Sequence, residues 1–251
     1  VTNLSALFPV PTRDDFYKPA MMQYDGNSAF YESPSVSWSG NKVTALLRIK
    51  RTSFSGGSME HVMRSSDATG QQRLQITVHP NDDADTGRRD RVRLFVKNST
   101  GTGICTIVSE TSVMDGNAHM LLIAFDGDGG TASMIVDGVT EDDTGYASRV
   151  APTTGTLGTS SGFMLVGSSS DTGADYFGGQ LGSVGFHEAY LTNWREFMDH
   201  RGYPKELDES GWTEWGTQPL YWNENGEMSN NLGSKVDMAI NATLNIGKGG
   251  N

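Results

Sequence analysis

The run Glu206-Leu207-Asp208-Glu209 sets carboxylates at an alternate spacing that could do covalent chemistry. Glycoside hydrolysis uses two carboxyl groups, one as acid and one as nucleophile or base, held across a cleft. On a strand, alternation puts Glu206 and Asp208 on one face. Position 210 should extend that set but is Ser210, and the next acid, Glu214, lies beyond Gly211. Pro204 and a helix stop come just before. Charged side chains without such a frame are normally solvated. The reading is a surface loop, with no catalytic residue assigned.

Two acidic pairs could offer oxygens to a metal, Asp126/Asp128 and Asp171/Asp175. Calcium takes six to eight oxygens at about 2.3–2.6 Å. No EF-hand spacing surrounds either pair, and Asp-Gly sequences make turns for backbone reasons alone. They are read as turns, with no metal and no cofactor. His61, His79, His119, His187 and His200 are dispersed, without the H-x-x-x-H spacing of a zinc hydrolase. His119 and His187 fall in strand patterns, where a packed, hydrogen-bonded ring is expected. Cys105 is the single cysteine, within apolar Gly103-Ile104-Cys105-Thr106-Ile107-Val108. It reads as a buried, inert thiol. Neither a G-x-S-x-G elbow nor a phosphate loop is present.

Trp212, Trp215, Tyr221 and Trp222 gather three of the five tryptophans near the end of the chain. Exposed, such rings stack on sugars or anchor a partner; buried, they fill a core. A core or subunit contact is expected.

The elements that must position these residues are strands. The 251 residues include 31 glycines and are 36% hydrophobic, low for a helical enzyme and ordinary for a sandwich with many turns. The net charge of −11, from 30 acids and 19 bases, opposes nucleic-acid backbones. No stretch is long and apolar enough to span a membrane. The first residues lack the basic start and apolar core of a signal peptide. The expectation is a protein made in a cytoplasm and not exported by the general route.

The organising stretch is Asp115 to Gly138. Apolar His119–Phe125 reads as a strand buried on both faces. Asp126-Gly127-Asp128-Gly129-Gly130 turns the chain, and Thr131–Val136 returns with one face buried. Before this hairpin, residues 1–20 read as an extended arm with Pro9, Pro11 and Pro19. Met21–Phe30 holds two strands about Asp25-Gly26-Asn27, and Ser33–Asn41 is a loop. Strands follow at Lys42–Lys50, Met59–Arg64, Leu74–His79, Val92–Lys97 and Ile104–Glu110. Pro80–Arg91 is an exposed loop. After the hairpin come a polar stretch (140–161), a strand at Phe163–Gly167 and a segment Tyr176–Glu188. Thr192 would cap one short helix, Asn193–His200. Residues 204–251 form a β extension that completes or covers the sandwich.

Four pieces in order resemble laminin-G-like, concanavalin A-like jelly rolls. Gln23-Tyr24-Asp25-Gly26-Asn27-Ser28 is similar to the family's early F-D-G turn. Val43–Lys50 with Thr52-Ser53-Phe54 resembles its next core strand. Asp115-Gly116-Asn117-Ala118-His119 through Val136-Asp137-Gly138 is similar to its W-H-H…D-G…V-D-G hairpin, with Ala118 where the family has tryptophan. Phe177-Gly178-Gly179-Gln180-Leu181 through Phe186, then Leu191-Thr192, resembles its closing strand. The resemblance spans roughly residues 20–203. It implies an all-β sandwich of two antiparallel sheets with one short helix, and raises a rim calcium at Asp171/Asp175 or Asp126/Asp128. The tail, Gly216–Trp222 and Asn231-Leu232-Gly233-Ser234, looks like tails on such domains in proteins of tailed bacteriophages. The expected role is a non-enzymatic virion component, a head decoration or tail-associated protein, made in the host cytoplasm. Its partners would be capsid or tail proteins and copies of itself in a homo-oligomer, with surface glycans a further contact. The alternatives are a carbohydrate-binding adhesion module and a polysaccharide hydrolase or lyase.

Overall fold

The computed structural model describes residues 21–27, 30–33, 36–38, 40–56, 58–67, 72–141, 150–157, 159–168, 175–197, 221–223, 239–240 and 245–247. The arm, residues 1–20, lies outside them, as do Asp171, His200, Glu206, Asp208, Glu209, Trp212, Glu214 and Trp215.

The described elements, in chain order, begin with β1 (Met21–Gln23), β2 (Tyr31–Glu32), β3 (Val36–Trp38), β4 (Lys42–Thr52), β5 (Glu60–Asp67) and β6 (Gln72–Val78). Then come β7 (Val92–Lys97), β8 (Gly103–Val108), β9 (Asp115–Asp126), β10 (Thr131–Val136), β11 (Val139–Thr140), β12 (Thr159–Val166) and β13 (Gln180–His187). A four-residue helix α1 (Trp194–Phe197) precedes β14 (Tyr221–Asn223), β15 (Ala239–Ile240) and β16 (Asn245–Gly247). The protein is an all-β jelly-roll sandwich of two antiparallel sheets, each with eight strands among the described residues. One runs β11-β10-β9-β4-β13-β1-β16, with β14 also on β13; the other runs β15-β2-β12-β5-β6-β7-β8, with β3 also on β12.

Alternation explains the layers. In β4, Val43, Ala45, Leu47 and Ile49 meet the core between the sheets, together with Leu121, Ile123 and Phe125 of β9. Leu74, Ile76 and Val78 of β6 and Val92, Leu94 and Val96 of β7 enter from the opposite sheet. Cys105 is buried among them. The outer face of the first sheet has its own apolar cluster, Leu46, Met120, Leu122, Ile135 and Phe197, with Leu191 and Trp194 against it. Helix α1 supplies that cover. It therefore buries Ile135 and makes β10 two-faced from Met134 to Val136, where sequence alternation gave one buried face.

Three further expectations change. The strands flanking Asp25-Gly26-Asn27 enter different sheets: Tyr24 N–H bonds Gly179 O (2.8 Å), extending β1 along β13, whereas β2 pairs with β12. The loop Ser33–Asn41 contains β3, which is too short to show a period. Pro80–Arg91 is a built loop and not a merely exposed one. Asp85 accepts from Gly87 N–H and caps a 3₁₀ turn, Thr86–Arg88. Asp82 accepts from Gly56 N–H, and Asp90 accepts from Ser53 Oγ at 2.7 Å. The tail, read as a β extension, supplies three short strands among the described residues: β14 on β13, β15 on β2 and β16 on β1.

Candidate functional site

Where β5 and β6 meet the loops at one rim, Ser58, Met59, His79, Asp83, Ala84, Arg88 and Asp175 line an open cleft of about 320 Å³. Each wall has a structural reason. His79 leaves β6 with its Nδ1 2.7 Å from Asp83 Oδ2, while its Nε2 lies 3.3 Å from Thr77 Oγ1. Asp83 Oδ1 accepts from Asp85 N–H (2.8 Å) and Arg88 Nη2 (3.2 Å). The 3₁₀ turn thus presents the Arg88 guanidinium over the cleft. Opposite, Asp175 has a left-handed backbone (φ 46°) and an exposed side chain, and its carbonyl accepts His61 N–H at 2.9 Å. Behind it, Arg51 forks onto Glu60 (2.7 and 3.1 Å), which also takes Gly178 N–H at 3.0 Å. This anchor ties the Asp175 side of the cleft to β4 and β5.

Burial first, then the positive charge of Arg93 and Arg88, holds His79 down to about 4 despite the Asp83 carboxylate. The ring is neutral at pH 7, so Nδ1–H donates to Asp83. Burial works against the Asp83 charge, but the hydrogen bonds from His79 and Asp85 and the Arg88 guanidinium keep its carboxyl below its ordinary range. His61, beside this pair, is 4% exposed, and neither ring nitrogen has a hydrogen-bond partner. Burial, then Arg64 and Arg93, lowers it to about 4 as well. The cleft therefore offers carboxylate acceptors and a guanidinium beside an apolar strip, Met59 and Ala84. Among the described residues it brings together no nucleophile–base pair.

A second polar cluster lies at the start of β9. His119 Nδ1 is 2.7 Å from Asp137 Oδ2, and its Nε2 is 3.0 Å from Asp115 Oδ1. Asp137 Oδ1 takes Met120 N–H at 2.8 Å, and Asp137 itself sits at φ 50°. Bridging the two carboxylates, the ring is a clamp on the β10–β11 turn.

The other expected positions resolve as follows. Asp126 Oδ1 accepts from Asp128 and Gly129 N–H, and Oδ2 pairs with Lys42 at 3.3 Å. Asp128 accepts from Asn41 Nδ2 at 2.9 Å. Both carboxylates are engaged in holding the turn. His119 and His187 are in strands, and His187 packs edge-on against Phe197 (6.1 Å). Tyr221 and Trp222 belong to β14, opposite Phe186 and Gly185. The sequence reading missed Met59, Asp83 and Arg88. The signal was there in Asp83-Ala84-Asp85-Thr86-Gly87, an Asx-turn pattern that marks an ordered loop.

No protein-family model matches the chain, and no curated protein matches it. Among solved structures, it is similar to a Bacteroides ovatus protein with a proposed carbohydrate-binding assignment. That match has TM-score 0.58 and 10% identity, over 92% of this chain and 60% of that one. It is also similar to a heptameric SAP-like pentraxin from Limulus polyphemus, with TM-score 0.54 and 10% identity, over 69% of this chain and 78% of that one. Domains LG4-5 of the mouse laminin α1 chain give TM-score 0.47 and 13% identity, over 79% of this chain and 48% of that one. The chain thus spans less than two thirds of the Bacteroides and laminin proteins. The first two of these likenesses are likenesses of fold, an all-β jelly-roll sandwich. Among the described residues no helix is long and apolar enough to cross a membrane.

Proposed function

We propose that this chain is a non-enzymatic glycan-binding module whose sugar site is the rim cleft between Met59, Asp83, Arg88 and Asp175. The carrying observation is the cleft's chemistry. Carboxylate acceptors and a guanidinium donor converge at its mouth beside Met59 and Ala84. Sugar hydroxyls need paired donors and acceptors, and the ring's C–H face needs apolar surface. The fold likeness to a protein with a proposed carbohydrate-binding assignment supports this over the virion role. The cleft has no carboxyl pair free to act as acid and nucleophile, because the Asp83 oxygens are engaged by His79, Asp85 and Arg88.

A glycan array on the full chain, followed by calorimetric titration of the best ligand, tests the reading. Arg88→Ala and Asp175→Asn should each weaken binding by about tenfold, the scale of one charge-assisted hydrogen bond, with little change in melting temperature. A chain that binds no glycan, or variants that bind like the parent, would overturn it. The tailed-phage location remains a separate proposal, resting on the tail resemblance alone.

A further inference from the structure

Along β7 the sequence alternates Arg91-Val92-Arg93-Leu94-Phe95-Val96-Lys97. Val92, Leu94 and Val96 enter the core, so Arg93, Phe95 and Lys97 face outward, and Arg91 precedes the strand at the same spacing. Arg93 Cζ lies 5.4 Å and Lys97 Nζ 5.5 Å from the centre of the Phe95 ring, which stands between two cations. Arg93 is largely covered, while Arg91, Phe95 and Lys97 are half-exposed. Gly103 pairs with Lys97, and a Cβ there would stand 3.2 Å from Phe95 Cε2; the glycine leaves that edge of the ring uncovered. Arg73, at the same end, is buried and donates to Asn98 O, so it contributes positive potential and no exposed donor. Strands β6, β7 and β8 contain no aspartate or glutamate, in a chain of net charge −11.

We propose that this outward row of β7 is a binding stripe for a linear anionic polysaccharide. The inference rests on the glycan-binding reading and extends it to a ligand class and a second surface. Alternate residues on a strand recur about every 6.6–6.8 Å, so Arg91 to Lys97 makes a straight row of roughly 20 Å. A row of that length suits an extended polymer carrying repeated charges. Guanidinium groups meet carboxylates or sulfates with paired hydrogen bonds. The Phe95 ring gives the sugar's C–H face an apolar seat. Single-stranded nucleic acid fits worse, because it is held by bases stacked on successive rings, and one ring is present.

The test measures binding of the full chain to heparin, polygalacturonate, neutral dextran and an oligothymidylate. Heparin or polygalacturonate should bind and dextran should not, with affinity falling steeply between about 50 and about 300 mM salt. Lys97→Glu should weaken that binding by about tenfold or more, and Lys97→Arg should keep it. Phe95→Leu should weaken it at unchanged melting temperature. Dextran bound as tightly as the anionic chains, Lys97→Glu binding like the parent, or the oligothymidylate binding more tightly than either polysaccharide would overturn the proposal. A chain that binds neutral oligosaccharides in the cleft without preferring anionic polymers loses this inference and keeps the glycan-binding reading. A chain that binds no sugar loses both.

Discussion

At the start of β9, His119 is held between Asp137 and Asp115, and the native state prefers its charged form. The hydrogen bond to Asp137 outweighs burial and raises its pKa, with Asp115 adding to the effect. Its contribution to stability is therefore complete below the unfolded value of about 6.5 and fades as pH rises through the raised native value. His61 and His187 have the opposite sign. Burial lowers both to about 4, so the unfolded chain takes protons first. Above about 6.5 they add no protonation-linked cost, and stability is withdrawn as pH falls from there towards 4, by roughly 2–4 kcal/mol for each histidine. Urea unfolding across pH should give a maximum near neutrality, falling on both sides. His61→Gln should flatten the acid limb and Asp137→Asn the alkaline one; limbs unchanged in these variants would show that other groups set the profile. Gly127 gives a prediction of another kind. Its N–H bonds Asn41 O at 2.7 Å, and an added Cβ would collide with Gly155 O. Gly127→Ala should cost about 1–3 kcal/mol in the same measurement.

Helix α1 shows what one short element does for a sheet. Phe197 is fully buried on the outer face of β4, β9 and β10, over Leu46, Met120, Leu122 and Ile135. Phe197→Ala should destabilise the protein by about 3–5 kcal/mol, measurable as a fall in melting temperature. The long strands β4, β7 and β9 were legible in the sequence because each runs through several alternations, enough to fix a face. The burial of Ile135 was not, since it depends on a helix far along the chain. The separation of β1 and β2 into different sheets was equally hidden: a turn's residues say that the chain bends, and the distant partners β13 and β12 decide where each strand goes. The cleft was missed because Pro80–Arg91 was judged by charge, whereas its aspartates are spent on backbone amides. The β7 stripe was on the page as plain alternation, with its outward half left unread.

At the scale of the molecule, both sheets need strands from the tail. Removing residues 204–251 takes away β14, β15 and β16, which leaves β1 and β2 with bare edges. That truncation should aggregate or melt well below the full chain, because an unpaired edge is a template for association. A truncation that melts like the full chain would show that these pairings add little. The arm carries a separate proposal. Val1–Pro19 includes Leu4, Leu7, Phe8, Val10, Phe16 and Tyr17, apolar surface suited to contacts between subunits. Deleting residues 1–18 should leave a folded protein with near-parental melting and weakened assembly, read by oligomeric state and by binding to particles that lack the protein. An unfolded truncation together with a monomeric parent would end the assembly role.

The place of β1 has a consequence for how the protein is made. That three-residue strand lies between β13 and β16, and its Met21, Met22 and Gln23 pair with Gly247, Ile246 and Asn245. A ribosome delivers Met21 long before Gly247, at about 5–20 residues per second. During those seconds β1 waits with no partner on either side, since β13 also comes late. The first sheet closes only after β16 has emerged, so the nascent protein depends on whatever shelters Met21 and Met22 until then.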